Sequence, residues 1–373
     1  MDQALPPDAT RSDVTGAERA TGADASTLDE LEGELGAIQD AVERIESGDA
    51  DAIAAIAAAR SGPAATAPDA RTAPDGGPLQ SGPPGRQETA MGFALEKLGQ
   101  WTEGPEFKVE ADRTKAYAAA TNDTVAAHAH GDVAPPVFAV VPIWDTMAGA
   151  MAGVVPPEVL LLVVHGEQDM RFHRAIVPGS VLRSKAAPIG IHVKPNGTTV
   201  VVKVETRDES GELVVTQYMT SFFRGVSEGD SGGEEAPGHK LSAETKSGAP
   251  VAAVTQTLDA DQTYRYAEAS GDNMPIHLDE EVAKSVGLPG IIIHGLCTMA
   301  FTSWGAIQTV AGGDPSRLKR LAVRFSRPVL PGQAITTTFW AAGEVNGNQV
   351  FGFETRNDQG EVVIKDGLAE VSA

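Results

Sequence analysis

The sequence predicts an α+β chain made of two tandem copies of one unit, each a long central helix wrapped by an antiparallel β-sheet, behind a disordered acidic N-terminal tail. Two observations carry this reading. Apolar positions alternate from about Met91 to the C-terminus, whereas residues 1–90 contain no Phe, Trp or Tyr. Within the patterned part, motifs recur 149 residues apart: Tyr117-Ala-Ala-Ala-Thr-Asn-Asp123 against Tyr266-Ala-Glu-Ala-Ser-Gly-Asp272, and Glu205-Thr-Arg against Glu354-Thr-Arg.

Residues 1–90 are rich in Ala, Gly, Pro, Asp and Ser, a composition that cannot build a core. They hold 17 acidic and 6 basic residues, half of the net charge of −22, so the folded part is only mildly acidic. Within them Leu28, Leu31, Leu35, Ile38, Val42 and Ile45 fall at helical spacing behind Thr27 and Glu30, which predicts one amphipathic helix over 27–47. The N-terminal unit is placed at 91–226. A Gly/Glu/Ser/Lys-rich linker follows at 227–255, and the C-terminal unit occupies 256–373.

Each unit reads in the same order: a short helix carrying Tyr-Ala-x-Ala, a loop with an Asp, a long apolar helix, then strands. The long helix is expected at about Val140–Gly153 in the first copy and at His294–Val310 in the second. Thr198–Arg207 and Gln333–Trp340 are β-branched and alternating, as strands require. Met170-Arg-Phe-His-Arg matches Val323-Arg-Phe-Ser-Arg a few residues out of step with the other repeats, a slip that a loop absorbs.

Composition narrows the function classes. No run approaches the roughly 18 apolar residues of a membrane helix. A lone Cys297 forms no internal disulfide and the N-terminus lacks a signal-peptide pattern, so cytoplasmic residence is expected. With 51 acidic against 29 basic residues, nucleic acid and anionic membranes would be repelled. An anionic ligand then needs a local basic patch. Arg317, Lys319 and Arg320, with Arg324 and Arg327, form the densest one, readable either as a solvated strand edge or as phosphate contacts.

Chemistry concentrates at Asp272 and His277. Five residues apart across a turn containing Gly271 and Pro275, a carboxylate and an imidazole can hold one water and shuttle its protons. Either residue alone would be an ordinary turn former or core histidine. Cys297, inside the apolar helix, reads as a small buried hydrophobe rather than a nucleophile.

Ser270-Gly-Asp-Asn-Met-Pro-Ile-His-Leu-Asp279, followed by His294-Gly-Leu-Cys-Thr298 and by Arg324-Phe-Ser-Arg-Pro-Val-Leu-Pro-Gly332, resembles the MaoC-like or hydratase-2 family of hot-dog enzymes. The resemblance spans about Phe93 to Val371 and implies a tandem (double) hot-dog. It implies reversible hydration of trans-2-enoyl thioesters of coenzyme A or acyl carrier protein to the (3R)-hydroxyacyl thioester, with no metal or redox cofactor, and is compatible with a homodimer. Carried over by position, Asp272 and His277 are the acid–base pair and Gly295 the oxyanion-hole amide. Asn273, His294 and Tyr266 support them. The candidates for holding the substrate's phosphates, Arg317, Lys319 and Arg320, come from the basic cluster and not from the resemblance. The sequence departs from the pattern at Met274, where the family has Asn.

In the first copy Asp123 and His128 keep the five-residue spacing, but Asn122 replaces the Gly and Val141-Pro142 stand where His294-Gly295 stand in the second. That copy is read as non-catalytic, lining the acyl pocket. His128-Ala-His130-Gly-Asp132 reads as a solvated loop rather than a metal cluster. Two rivals stand beside the hydratase reading: an acyl-thioesterase, and a catalytically silent thioester-binding or scaffold subunit.

Overall fold

The computed structural model describes residues 92–373, so the helix expected over 27–47 lies outside the described residues. Eleven strands form one antiparallel sheet: β1 Thr102–Lys108, β2 Val163–Phe172, β3 Val181–Lys194, β4 Gly197–Arg207, β5 Leu213–Arg224, β6 Gly232–Gly233, β7 Ala252–Thr257, β8 Leu318–Phe325, β9 Ala334–Val345, β10 Asn348–Asn357 and β11 Val362–Ser372. The helices are α1 Ala111–Ala120, α2 Ala126–His130, α3 Trp144–Ala152, α4 Ala243–Ser247, α5 Gln262–Ser270, α6 Glu280–Ser285 and α7 Gly295–Thr309.

The strand order β1-β3-β4-β5-β2-β8-β11-β10-β9-β7 reads the same from both ends once the second copy is mapped on the first, and β6 pairs β3 beside this path. β2 pairs with β8 at the middle, Glu167 opposite Arg324 and Arg171 opposite Arg320. Tyr117 and Tyr266, related by the repeat, meet in the core with their hydroxyls 3.2 Å apart. The tandem repeat of the sequence is therefore a two-fold relation in space.

α7 is apolar on nearly every side and packs against β7 and β8. Its counterpart differs from the expected helix over Val140–Gly153. The chain runs as a buried 3-10 segment over Pro136–Ile143 and becomes α-helical only at Trp144. Pro142 is the reason: it has no N–H to donate and disfavours the α conformation at the residue before it.

The stretch expected to be a linker is ordered. His239 and Leu241 are buried, and His239 donates through Nδ1 to the Asp366 carbonyl at 2.5 Å with Nε2 3.4 Å from Glu167. Ser242 caps α4 by accepting from the Thr245 amide at 3.0 Å, Lys246 pairs with Glu354 at 2.5 Å, and β7 begins inside the segment at Ala252. Two apolar or aromatic anchors suffice to tie down a polar stretch. Among the described residues no helix is long and apolar enough to cross a membrane.

The seam between the copies carries a buried charge cluster. Arg320 donates to both oxygens of Asp169, at 2.9 and 2.7 Å, and to Glu370 at 3.1 Å. The Asp169 side chain is 2% exposed, so it relies on that guanidinium in place of water. Arg320→Ala strands the carboxylate and should lower stability by about 3–5 kcal/mol, read as a lowered midpoint in urea unfolding.

Candidate active site

The second-copy site is set by how α5 ends and α7 begins. Gly271, in the left-handed conformation at φ 81°, closes α5 and turns the chain so that Asp272 faces inward. The Asp272 carboxylate accepts from the Met274 amide at 3.2 Å, and Pro275 opens a 3-10 turn that ends on His277. The His277 ring is fixed at Nδ1, which donates to the Ile292 carbonyl at 2.8 Å. Its Nε2 therefore carries the free lone pair.

His294 stacks on His277 with ring centroids 3.8 Å apart and planes 24° apart. Its Nε2 donates to the Asp272 carbonyl at 3.0 Å, leaving Nδ1 facing the Thr263 hydroxyl at 3.3 Å. That hydroxyl donates its one proton to the His277 carbonyl at 2.8 Å. Ligating atoms of Asp272, His277 and His294 all lie within 4.8 Å of one another. The stacked ring planes are only 24° apart, so one ion at about 2.0–2.1 Å from a nitrogen of each could not lie in the plane of both rings. The arrangement suits proton transfer.

Burial sets the protonation states. It raises the Asp272 carboxyl above the ordinary carboxylate range, against the pull of nearby His277 and the Met274 amide. It lowers His277, against the Ile292 carbonyl and the Asp272 charge. His294 is pushed down to about 3, by burial first and by His277 second. In each case burial works against the charged form, and the neighbouring Asp272 and His277 charges work against burial.

α7 begins at Gly295, whose amide precedes the first helical bond, Thr298 N to His294 O at 3.1 Å. Such an amide is an unpaired donor at the positive end of the helix. A Cβ on residue 295 would stand 3.2 Å from the Phe325 ring, so glycine lets that ring close the site. Cys297 is fully buried and burial pushes its thiol up, as expected of a small core residue. Tyr266 is buried between Tyr117 and His294.

Asn273 does not turn inward. It is exposed, with Nδ2 3.4 Å from the Gly271 carbonyl, and Met274 is 39% exposed. The basic residues divide. Arg317 donates to the carbonyls of Ser372 and Ala311 at 2.9 and 3.1 Å, Lys319 to the Ser316 carbonyl at 2.7 Å, and Arg320 is held by the seam carboxylates. Arg320 stands five residues along β8 from Phe325, a rise of about 17 Å. Of these three, Arg317 and Arg320 each hold two groups within the chain, whereas Lys319 is held by one exposed contact to a carbonyl.

Three contributors were not singled out from sequence. Thr263 gives no signal beyond a position on the α5 face, and the Ile292 carbonyl is backbone. Trp144 reaches from the first copy to donate to the Ser270 carbonyl at 2.9 Å.

The first copy has the same parts in a collapsed form. His128 is fully buried rather than solvated, and its Nδ1 lies 2.7 Å from Asp123 Oδ2. Asn122 adopts the left-handed conformation that Gly271 takes in the second copy, at φ 50°. Pro142, in the place aligned with Gly295, offers no amide. In the second copy no hydrogen bond joins the Asp272 carboxylate to the His277 ring among the described residues, and the His277 Nδ1 is bonded to the Ile292 carbonyl instead.

Comparison with known proteins fits this geometry. Residues 242–362 match the MaoC like domain and residues 126–225 the MFE-2 hydratase 2 N-terminal domain. The chain is 31% identical to "Probable enoyl-CoA hydratase 2" of Dictyostelium discoideum, over 56% of this chain and 70% of that protein. It is also 31% identical to "3-hydroxyacyl-thioester dehydratase Y" of Mycobacterium tuberculosis, over 64% and 81%. "Peroxisomal multifunctional enzyme type 2" of Drosophila melanogaster is 33% identical over 48% of this chain, which spans 30% of that longer protein. The crystal structure of the MaoC-like dehydratase from Phytophthora Capsici shares the fold at TM-score 0.64 and 24% identity, covering 74% of this chain and 97% of that one. Sheet, paired helices and site together define a double hot-dog hydratase or dehydratase. The chain belongs to the MaoC-like, hydratase-2 family.

The lowered His294 has a consequence for stability. Unfolded, it takes up a proton near its ordinary 6.5; folded, it refuses one until about 3. Its contribution is whole above pH 6.5 and declines as pH falls, by up to about 1.4 kcal/mol per pH unit. Urea midpoints of His294→Gln should fall less steeply than those of the parent between pH 6.5 and pH 5.

Proposed function

We propose that this protein adds water across the double bond of a trans-2-enoyl thioester to give the (3R)-3-hydroxyacyl thioester, and catalyses the reverse dehydration. The observation that carries this is the convergence of Asp272, His277 and His294 within 4.8 Å beside the first amide of α7. His277 Nε2 takes a proton from the water as its oxygen attacks C3. The Gly295 amide holds the thioester oxygen as charge gathers on it, and Asp272 delivers a proton to C2. The cycle leaves an imidazolium and a carboxylate, and a proton passing back through the next water resets them.

The Dictyostelium and Mycobacterium relatives, and a third, "Enoyl-CoA hydratase 2, peroxisomal" of Arabidopsis thaliana, support this class of reaction by their names. A thioester of coenzyme A or of acyl carrier protein is the proposed substrate. Cytoplasmic residence belongs to the same proposal. Relatives from Drosophila and Arabidopsis are named as peroxisomal, and imaging a tagged chain decides between the two compartments.

Purified protein should hydrate crotonyl-CoA, seen as loss of enoyl-thioester absorbance, and Asp272→Asn or His277→Ala should each slow it by about 10²–10⁴-fold. Unchanged rates in both variants would sink the assignment. Release of free thiol would mark a thioesterase instead, and binding without turnover a silent subunit. Since Asn273 does not replace the missing amide, Met274→Asn should raise the hydration rate.

A further inference from the structure

At the seam, the two-fold relation of the copies pairs residues whose charges do not match. Met170-Arg-Phe and Val323-Arg-Phe are the same motif, so Arg171 and Arg324 occupy related positions on β2 and β8. Arg324 lies opposite Glu167 and pairs with it at 2.9 Å, with Asp366 3.9 Å away. Arg171 lies opposite Arg320. Like charges directly across an antiparallel pair repel, and the two Asp169 and Glu370 carboxylates nearby are already bound to Arg320.

Arg171 is thereby left over. Its guanidinium rests on the Tyr218 ring, 5.7 Å from the centroid, and its Nε is buried without a hydrogen-bond partner. Among the described residues no carboxylate forms an ion pair with it. A buried guanidinium nitrogen with no acceptor is costly, and an acceptor from outside the chain removes that cost.

The space beside it can hold one. Where β2 ends and β8 begins, a depression of about 470 Å³ is lined by Arg171, Lys319 and Arg320, by Asn346, Asn348 and Phe172, and by Glu370, whose carboxylate Arg320 holds at 3.1 Å. That volume is in the range of small-molecule sites, about 300–1,000 Å³. Arg171 supplies a planar fork and Lys319 a point charge, both suited to phosphate oxygens, while Asn346, Asn348 and Phe172 suit a polar ring.

We propose that this depression is a binding site for a phosphate ester of nucleotide size, held by Arg171 and Lys319. The site rests on the charges of the seam and does not depend on the hydratase reading. The ligand chemistry has two sources, the nucleotide end of a coenzyme A thioester or a free nucleotide.

Titration calorimetry of the full chain with adenosine 3′,5′-bisphosphate, which carries no thioester, tests the site without using catalysis. The wild type should bind it with an affinity that falls as salt rises. Arg171→Gln and Lys319→Gln should each weaken binding about tenfold or more, the loss of a charge-assisted contact. Circular dichroism confirms that each variant is folded, and Lys319→Gln, altering an exposed side-chain end, keeps the test open should Arg171→Gln fail to fold. No binding by the wild type, or equal binding by folded variants, overturns the proposal. Kinetics then separates the sources. A raised KM for crotonyl-CoA with an unchanged KM for crotonyl-pantetheine assigns the site to the thioester carrier, whereas bisphosphate binding with both KM values unchanged assigns it to a free nucleotide.

Discussion

The antiparallel pairing of β2 with β8 is the contact on which the rest of the molecule depends. It joins the two half-sheets at strands that would otherwise be open edges, and so turns a repeat in sequence into a two-fold arrangement in space. That arrangement brings Tyr117 against Tyr266 and places α7 beside the buried 3-10 segment of the other copy. Tyr266, one half of that contact, also packs against the His294 ring, so the core at the two-fold borders the cluster of Asp272, His277 and His294.

The two copies show how little separates a working site from a closed one. Both retain an Asp and a His five residues apart, and both turn the chain through a left-handed residue, Gly271 or Asn122. In the first copy the two side chains bond directly at 2.7 Å and Pro142 removes both the long helix and its first amide. In the second, the Ile292 carbonyl takes the His277 Nδ1 proton, which keeps Nε2 free and the carboxylate apart. A backbone carbonyl therefore distinguishes a pair held apart from a pair bonded directly.

Much of this was legible in the residues. The 149-residue spacing announced two copies, the alternation announced strands, and Asp272, His277 and His294, read from separate motifs, lie within 4.8 Å of one another. What escaped has physical causes. A formal charge does not state its partner, so Arg320, held by Asp169, and Arg317, held by backbone carbonyls, read as ligand contacts. Arg171 stood out only once strand register set it opposite Arg320. The segment over 227–255 read as a linker because its composition is polar, while its order comes from single anchors, His239 and Leu241, whose partners are distant in sequence. Carbonyls such as that of Ile292 leave no trace in a sequence at all.

The bond from Trp144 to the Ser270 carbonyl reaches further than its 2.9 Å length. It fastens the end of the helix that leads to Asp272 to a helix of the other copy. A substitution that shifts α3 is therefore felt at a carboxylate far from it in sequence. The duplicated chain is two units by pattern and one by mechanics, because the position of one copy's acid depends on the shape of the other.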